Sequence, residues 1–215
     1  MLTLIQFPWS PFAITVRRML ERNGIPFHLR NIPFHDRAAI ITATKGRGHS
    51  VPCIVDGKRA LCDTTDFGQE VARHVDRRFT LNLFPKEFDG LQLILSRYIE
   101  QELEMVGFKV NDTYVIPKRP LVERTMLIRH KERKFGKGCV REWTAQRRPL
   151  CAQFADLLEP IDNVLATSPF LLADRPLFVD YNLYGVLENY LFNGKTKLPA
   201  MKHLRRWHRA MTHAH

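Results

Sequence analysis

Ser10 stands at the point in the sequence best suited to stabilising an anion. It lies between a short apolar run, Leu2–Phe7, and a segment from Pro11 in which apolar side chains recur three and four residues apart. This order predicts a strand that leads into the N-terminus of a helix, where free backbone N–H groups favour negative charge. A hydroxyl there could donate to a sulfur atom and stabilise a thiolate. The alternative is a serine that only caps the helix.

Other catalytic and metal-binding patterns are missing from the sequence. No Gly-x-Ser-x-Gly elbow surrounds Ser10, and there is no P-loop, Gly-x-Gly-x-x-Gly, His-Glu-x-x-His or Cys-x-x-Cys. His213 and His215 could bind a metal ion only weakly, so no metal site is predicted. The four cysteines show no paired short spacing, which fits reduced, buried thiols in a reducing compartment. They are Cys53, Cys62, Cys139 and Cys151.

The elements that would position Ser10 follow from periodicity and turn residues. Residues 1–77 predict the order βαβαββα, and a β–α–β unit within about 32 residues favours a parallel pair of strands. Residues 88–215 show apolar stripes at helical spacing and no strand pattern. We therefore predict an α/β domain over 1–77, a linker over 78–87 and an all-helical domain over 88–215. The predicted elements of the first domain are strands at 2–7, 25–32, 51–55 and 58–61, helices from Pro11 and Asp63-Thr64, and a helical or irregular stretch at 35–44.

Composition and charge narrow the class of protein. Hydrophobic residues make up 45% of the 215 residues, enough for a substantial core. There is no basic leader and no run of about 18 apolar residues, which predicts a cytoplasmic protein without a membrane span. The net charge of +11 is concentrated in residues 113–148, which hold 11 Lys and Arg against 3 Asp and Glu. This basic segment is either a solvated helical hairpin or a patch that attracts an anionic partner.

Four segments, in order along the chain, resemble the glutathione S-transferase family. FPWSPFAITVRRML resembles the first turn and helix of members that use a serine, such as the tau and zeta classes. SVPCIVDG resembles the strand around their cis-proline, and LCDTTDFGQEVARHV the helix that follows it. FLLADRPLFVDYNLYGVL resembles their buried helix, with Asp180 as its capping aspartate and Leu177 where a hydroxyl is expected. The resemblance implies a thioredoxin-like first domain followed by an all-helical one.

The resemblance also implies a glutathione site in the first domain, with Ser10 as the catalytic residue that holds the thiolate. A cis bond before Pro52 would turn the backbone of Val51 toward the cysteinyl part of glutathione. Asp63 and Thr64 stand where the family usually has Glu-Ser for the γ-glutamyl end, the aspartate being one methylene shorter. The implied glutathione-binding residues are Phe12, His49, Ser50, Val51, Pro52, Asp63 and Thr64. The candidates for a second-substrate pocket are Trp9, Phe12 and Tyr98.

Three functional hypotheses follow. In the first, glutathione is a co-substrate whose thiolate attacks an electrophilic small molecule, with conjugation, dehalogenation, isomerisation and ether cleavage all open. In the second, the fold is a non-catalytic binding module whose basic segment, 113–148, docks an anionic partner. In the third, glutathione is bound or stored without turnover. By resemblance we expect a homodimer, and neither a membrane nor a nucleic acid is an expected partner.

Overall fold

The structure is a computed structural model that describes residues 1–63 and 68–213. Its first half confirms the predicted order βαβαββα. The elements are β1 (Leu2–Gln6), α1 (Pro11–Arg22), β2 (Phe27–Asn31), α2 (Ala38–Thr44), β3 (Cys53–Asp56), β4 (Arg59–Cys62) and α3 (Glu70–Phe79). The last helix runs two residues into the stretch that was predicted as a linker.

The four strands form one mixed sheet in the order β2-β1-β3-β4. β1 pairs in parallel with β2, which confirms the predicted β–α–β unit, and antiparallel with β3. β3 and β4 are antiparallel and joined by a tight turn in which Gly57 has a φ of 59°, a backbone conformation that glycine adopts at little cost. β1 is one of the two inner strands, and four of its five residues are buried, including the polar Gln6.

The start of α3 differs from the prediction. The helix begins at Glu70, and residues 68 and 69 are not helical, so it does not run continuously from Asp63-Thr64. The nominal capping residue, Gln69, makes no side-chain capping bond. Instead, the Asp63 carboxylate accepts a hydrogen bond from the backbone N–H of Val71 at 3.0 Å and caps the first turn from a distance. Thr64, at the predicted start of this helix, lies outside the described residues.

The second half contains helices and no strand within its described residues, which confirms the all-helical prediction. A π-helical segment (Ile99–Leu103) joins its first two helices, and a 3₁₀ turn (Ile116–Lys118) follows the second of them. The helices are α4 (Asp89–Tyr98), α5 (Glu104–Val115), α6 (Leu121–Phe135), α7 (Cys139–Ala145), α8 (Arg147–Thr167), α9 (Phe178–Leu191) and α10 (Lys202–Thr212). Among the described residues, none of these helices is long and apolar enough to cross a membrane.

The two halves meet where α9 packs on α1. Gly185 permits this contact, because a Cβ atom at that position would lie 2.4 Å from the carbonyl oxygen of Pro11 and 2.2 Å from the hydroxyl of Thr15. The first turn of α1 is therefore held directly against a buried helix of the second half. Since Ser10 caps that turn, the packing of α9 sets the position of the predicted catalytic hydroxyl.

Asp180 holds the start of α9 in the core. Its carboxylate accepts hydrogen bonds from the backbone N–H groups of Leu177 and Leu171, each at 3.0 Å, and from the indole N–H of Trp207 at 2.8 Å. Half of a reciprocal capping box is therefore present, although Leu177 has no hydroxyl to complete it. Leu177 is fully buried instead, so this position contributes apolar packing.

Candidate functional site

Ser10 occupies the N-terminus of α1, as the sequence predicts. It is the N-cap of the helix, and its Oγ accepts a long hydrogen bond of 3.4 Å from the backbone N–H of Ala13. Its side chain is buried but borders a cleft of about 550 Å³. We call this space the Ser10 cleft. Because the Ser10 oxygen accepts in the capping bond, its proton can be donated to an acceptor in the cleft.

The loop before β3 forms the opposite side of the Ser10 cleft. His49, Ser50 and Val51 all line it, and the peptide bond between Val51 and Pro52 is cis, as the resemblance implied. The Ser50 hydroxyl donates to the backbone carbonyl of Asp63 at 2.7 Å, so it connects this loop to the end of β4. The side chain of His49 is exposed to solvent at the rim.

Asp63 does not line the Ser10 cleft, and it borders instead a separate narrow space of about 10 Å³ beside Phe12. Burial raises the pKa of its carboxyl to about 7, and the nearby Glu70 carboxyl, which shares a hydrogen bond with it, adds to the increase, while the N–H of Val71 opposes it. A neighbouring cation stabilises the ionised form of such a carboxyl. An ammonium group on a ligand would be a cation of this kind.

A second cavity of about 530 Å³ adjoins the Ser10 cleft. The two spaces share lining residues, including Phe12, Glu104, Phe108 and Lys131. The second cavity lies between the π-helical segment, α5 and α6, and we call it the aromatic chamber. Its walls combine apolar, charged and other polar side chains. The apolar ones are Phe12, Met105, Phe108 and Phe135, the charged ones are Glu100, Glu104, Lys131 and Lys134, and the others are Gln101 and His130.

Helix α6 closes the Ser10 cleft from the helical half. Near its start, the buried carboxylate of Glu123 accepts a hydrogen bond from the backbone N–H of Phe34 at 3.2 Å. Further along, the ring of His130 meets the Phe34 ring edge-on, 5.3 Å between centroids. Lys131 and Arg133 line the cleft from the same helix. Part of the basic segment, 113–148, therefore faces the site.

The three residues predicted to line a second-substrate pocket differ in which cavities they border. Phe12 borders the Ser10 cleft, the aromatic chamber and the narrow space beside Asp63. Trp9 lines the cleft but is 8% exposed, with the guanidinium of Arg119 3.9 Å above its ring. Tyr98 does not line either cavity, because its hydroxyl donates to the backbone carbonyl of Leu157 at 2.7 Å, between α4 and α8.

The sequence reasoning missed most of the aromatic chamber. Glu100, Glu104 and Phe108 recur at intervals of four residues, as do His130 and Lys134, and this repetition was the available signal. The basic segment was recognised only as a charged stretch, without an indication of what it faces. Within the described residues, no group of His, Cys, Asp or Glu side chains is arranged to hold a metal ion.

Comparison with known proteins identifies the family. Residues 4–78 match the glutathione S-transferase N-terminal domain, and residues 139–210 match the glutathione S-transferase C-terminal domain. A search of curated proteins gave no significant match.

Solved structures share the fold at low sequence identity. Glutathione transferase GSTFuA3 from Phanerochaete chrysosporium has a TM-score of 0.83 at 15% identity, covering 98% of this chain and 96% of that one. Glutathione transferase CsGST63524 of Ceriporiopsis subvermispora, solved with glutathione, has a TM-score of 0.78 at 14% identity over 98% and 95%. Glutaredoxin 2 from Salmonella typhimurium, also solved with glutathione, has a TM-score of 0.75 at 18% identity over 99% and 93%. The two domain matches together span more than half of the chain, which therefore belongs to the glutathione S-transferase family.

Proposed function

We propose that this protein is a cytoplasmic glutathione transferase of the serine type, in which Ser10 stabilises the glutathione thiolate for attack on an electrophilic small molecule. The observation that carries the proposal is the Ser10 cleft. It unites the capping hydroxyl of α1 with the loop that ends in the cis Val51–Pro52 bond. Structural neighbours with this fold were solved in complex with glutathione, which supports the same ligand here.

The chemistry divides between the two cavities. The glutathione S–H loses its proton to solvent, and the Ser10 hydroxyl donates a hydrogen bond to the resulting thiolate. The sulfur then forms a bond to an electrophilic carbon, and either a leaving group departs from that carbon with its bonding electrons or the broken π bond takes up a proton from solvent. The partial positive charge of the α1 N-terminus adds to the stabilisation of the anion. The aromatic chamber adjoins this point and is proposed to hold the electrophile. Conjugation, dehalogenation, isomerisation and ether cleavage all begin from this thiolate.

The remaining glutathione contacts belong to the same proposal. Asp63, with Thr64, is proposed to hold the γ-glutamyl end, since a carboxyl with a raised pKa favours a neighbouring ammonium. Val51 would pair with the cysteinyl part, and His49 at the rim would meet the glycine carboxylate. Phe12, between the cavities, would contact both substrates.

The binding-module hypothesis is not favoured. Lys131, Arg133 and Lys134 of the basic segment line the two cavities, so part of the excess charge has a role within the site. Glutathione carries two carboxylates and one ammonium, and cations near the entrance attract such an anion.

A homodimer belongs to the same proposal. On α4, Leu91 is 50% exposed and Ile94 is 66% exposed, and these side chains lie three residues apart on one helix. A second copy of the chain would remove this apolar surface from water. Analytical ultracentrifugation should give about twice the chain mass, and a monomer at micromolar concentration would contradict this part of the proposal.

The test of the function is glutathione binding and thiolate formation. We expect calorimetry to show glutathione binding to the wild type, and the bound thiol to show thiolate absorbance near neutral pH. Ser10→Ala should retain most of the binding and lose the thiolate signal, with about a hundredfold loss of kcat/KM toward any electrophile that the wild type accepts.

Ser10→Thr, which keeps a hydroxyl at the same position, is the matched control and should recover part of the signal. Ser10→Ala also removes a helix cap at a cost of about 1 kcal/mol, so folding is checked by thermal unfolding. No detectable glutathione binding by the wild type would refute the proposed function.

A further inference from the structure

The charged groups of the aromatic chamber indicate which ligands it excludes. Glu100, within the π-helical segment, and Glu104, at the start of α5, contribute carboxyl groups, and Lys131 and Lys134 contribute ammonium groups. Lys131 is also paired with Asp112 at 2.9 Å. An anionic ligand would meet the two carboxyl groups, and a cationic ligand would meet the two lysines. Charges of both signs in one small space therefore favour a neutral ligand.

The two carboxyl groups are not equivalent. Glu100 is 5% exposed and accepts a hydrogen bond from the amide of Asn182 at 2.7 Å. Within the described residues no donor reaches the Glu104 carboxylate, although it borders both the Ser10 cleft and the chamber. Burial raises the pKa of Glu104 to about 7, while Lys131 lowers it, so the group is largely ionised at about pH 8. An ionised carboxylate only accepts hydrogen bonds, so its natural complement is a donor on the ligand.

The aromatic wall is rigid and favours a flat ring. The Phe108 and Phe135 rings lie 5.5 Å apart, and each meets the Trp143 ring edge-on, at 5.7 Å and 5.4 Å. Lys131 Nζ lies 3.8 Å from the centre of the Phe108 ring. Such fixed rings pack well against another aromatic system in stacked or edge-on arrangements.

We propose that the aromatic chamber selects neutral aromatic substrates that carry a hydroxyl or similar hydrogen-bond donor, which Glu104 accepts. Glu104 is thus a specificity-determining residue for the second substrate. The donor group fixes the ring in the chamber, and the shared border with the Ser10 cleft directs the rest of the molecule toward the thiolate. This inference rests on the proposed function, because it names the substrate class of the same site.

The test uses simple aromatic probes and needs no turnover. Binding of 2-naphthol, 2-methoxynaphthalene and 2-naphthoate is measured by calorimetry at about pH 8, with the wild type, Glu104→Gln and Glu102→Gln. Glu102 is exposed two residues away and is the matched control. We expect the wild type to bind 2-naphthol about tenfold more tightly than its methyl ether, because a hydrogen bond to a charged acceptor is lost in the ether. We expect 2-naphthoate to bind more weakly than 2-naphthol.

The variants decide between recognition by Glu104 and general affinity for aromatic compounds. Glu104→Gln should reduce the preference for 2-naphthol to about twofold or less, and Glu102→Gln should leave it unchanged. Met105→Trp, which fills the chamber, should abolish binding of both neutral probes and so locate them. The proposal is overturned if Glu104→Gln keeps the full preference, if 2-naphthoate binds most tightly, or if the wild type binds none of the probes.

Failure of this inference can be told apart from failure of the proposed function. Glutathione titrated into the wild type alone reports on the first substrate. Glutathione binding without selection for the hydroxyl would refute only the substrate class. Selection without glutathione binding would refute the proposed function and leave a donor-selective aromatic site.

Discussion

At the scale of single residues, the site is defined by polar groups whose partners are incomplete without a ligand. Ser10 accepts one long capping bond, and Asp63 shares a buried environment with Glu70 at a pKa of about 7. Groups of this kind lower the stability of the fold when they are charged and unpaired. A complementary ligand restores that stability when it binds. In the proposed function, the ammonium of glutathione would be such a ligand for Asp63.

We predict that Asp63 makes glutathione binding dependent on pH. Because its pKa is raised, the carboxyl is protonated below about pH 7 and must release its proton before it pairs with an ammonium. The affinity of the wild type should therefore rise as the pH increases from about 6 to 8. Asp63→Asn keeps the acceptor for the Val71 N–H but removes the charge, and should bind about tenfold more weakly at pH 8.

Calorimetry across this pH range, on the wild type and Asp63→Asn, measures the difference. Other groups that titrate in both proteins cancel in the comparison. A difference in affinity that does not change with pH would mean that Asp63 does not bind the ammonium as a carboxylate.

At the scale of elements, the first half could be predicted because its signals are local. The apolar run of β1, the helix start at Pro11 and the turn at Gly57 each depend on a few neighbouring residues. The start of α3 could not be predicted, since it depends on a cap from Asp63, eight residues before Val71. The contact of α6 with Phe34 could not be predicted from the sequence either, because the interacting residue, Glu123, is 89 positions away along the chain.

Helical periodicity alone did not indicate which residues of the helical half line a cavity. Tyr98 belongs to an apolar stripe of α4, and a regular helix would continue that face into α5. Glu104 and Phe108 follow Tyr98 by six and ten residues, which at about 3.6 residues per turn places them on another face. They line the chamber, while Tyr98 packs against α8. An apolar pattern does not show which face of a helix borders a cavity.

The contact between α9 and α1 should be intolerant of any added side chain. Gly185→Ala would place a Cβ atom 2.4 Å from the Pro11 carbonyl, which cannot rotate away as a flexible side chain could. The helices must separate, and we expect a loss of about 3 kcal/mol of unfolding free energy together with reduced thiolate formation at the displaced Ser10.

Gly90→Ala is the matched control for this change. Gly90 also lies in a helix, α4, and its added Cβ would meet nothing within 4 Å. That variant should be stabilised by about 0.5–1 kcal/mol through its higher helix propensity. Urea unfolding compares the two, and equal stability of both variants would contradict the packing argument.

At the scale of the whole molecule, the uneven charge and the site act together. The chain carries a net charge of +11, and α6 brings part of the basic segment to the Ser10 cleft. A field of this sign concentrates an anionic ligand at the entrance without a specific contact for each cation. The same helix contacts Phe34 of the first half through Glu123, so the wall that closes the cleft also carries Lys131 and Arg133.

This arrangement predicts that glutathione binding weakens as the salt concentration increases. The effect should come partly from cationic residues that do not contact glutathione. Arg133 is exposed and borders the cleft, whereas Arg141 is exposed on α7 and does not line it. Arg133→Gln should lower the glutathione affinity about twofold at about 0.05 M salt and have little effect at about 0.5 M, where screening shortens the reach of each charge. Arg141→Gln removes the same net charge and should change the affinity less at either salt concentration. If the two variants behave alike, only the total charge matters, and the position of α6 over the cleft has no electrostatic role in binding.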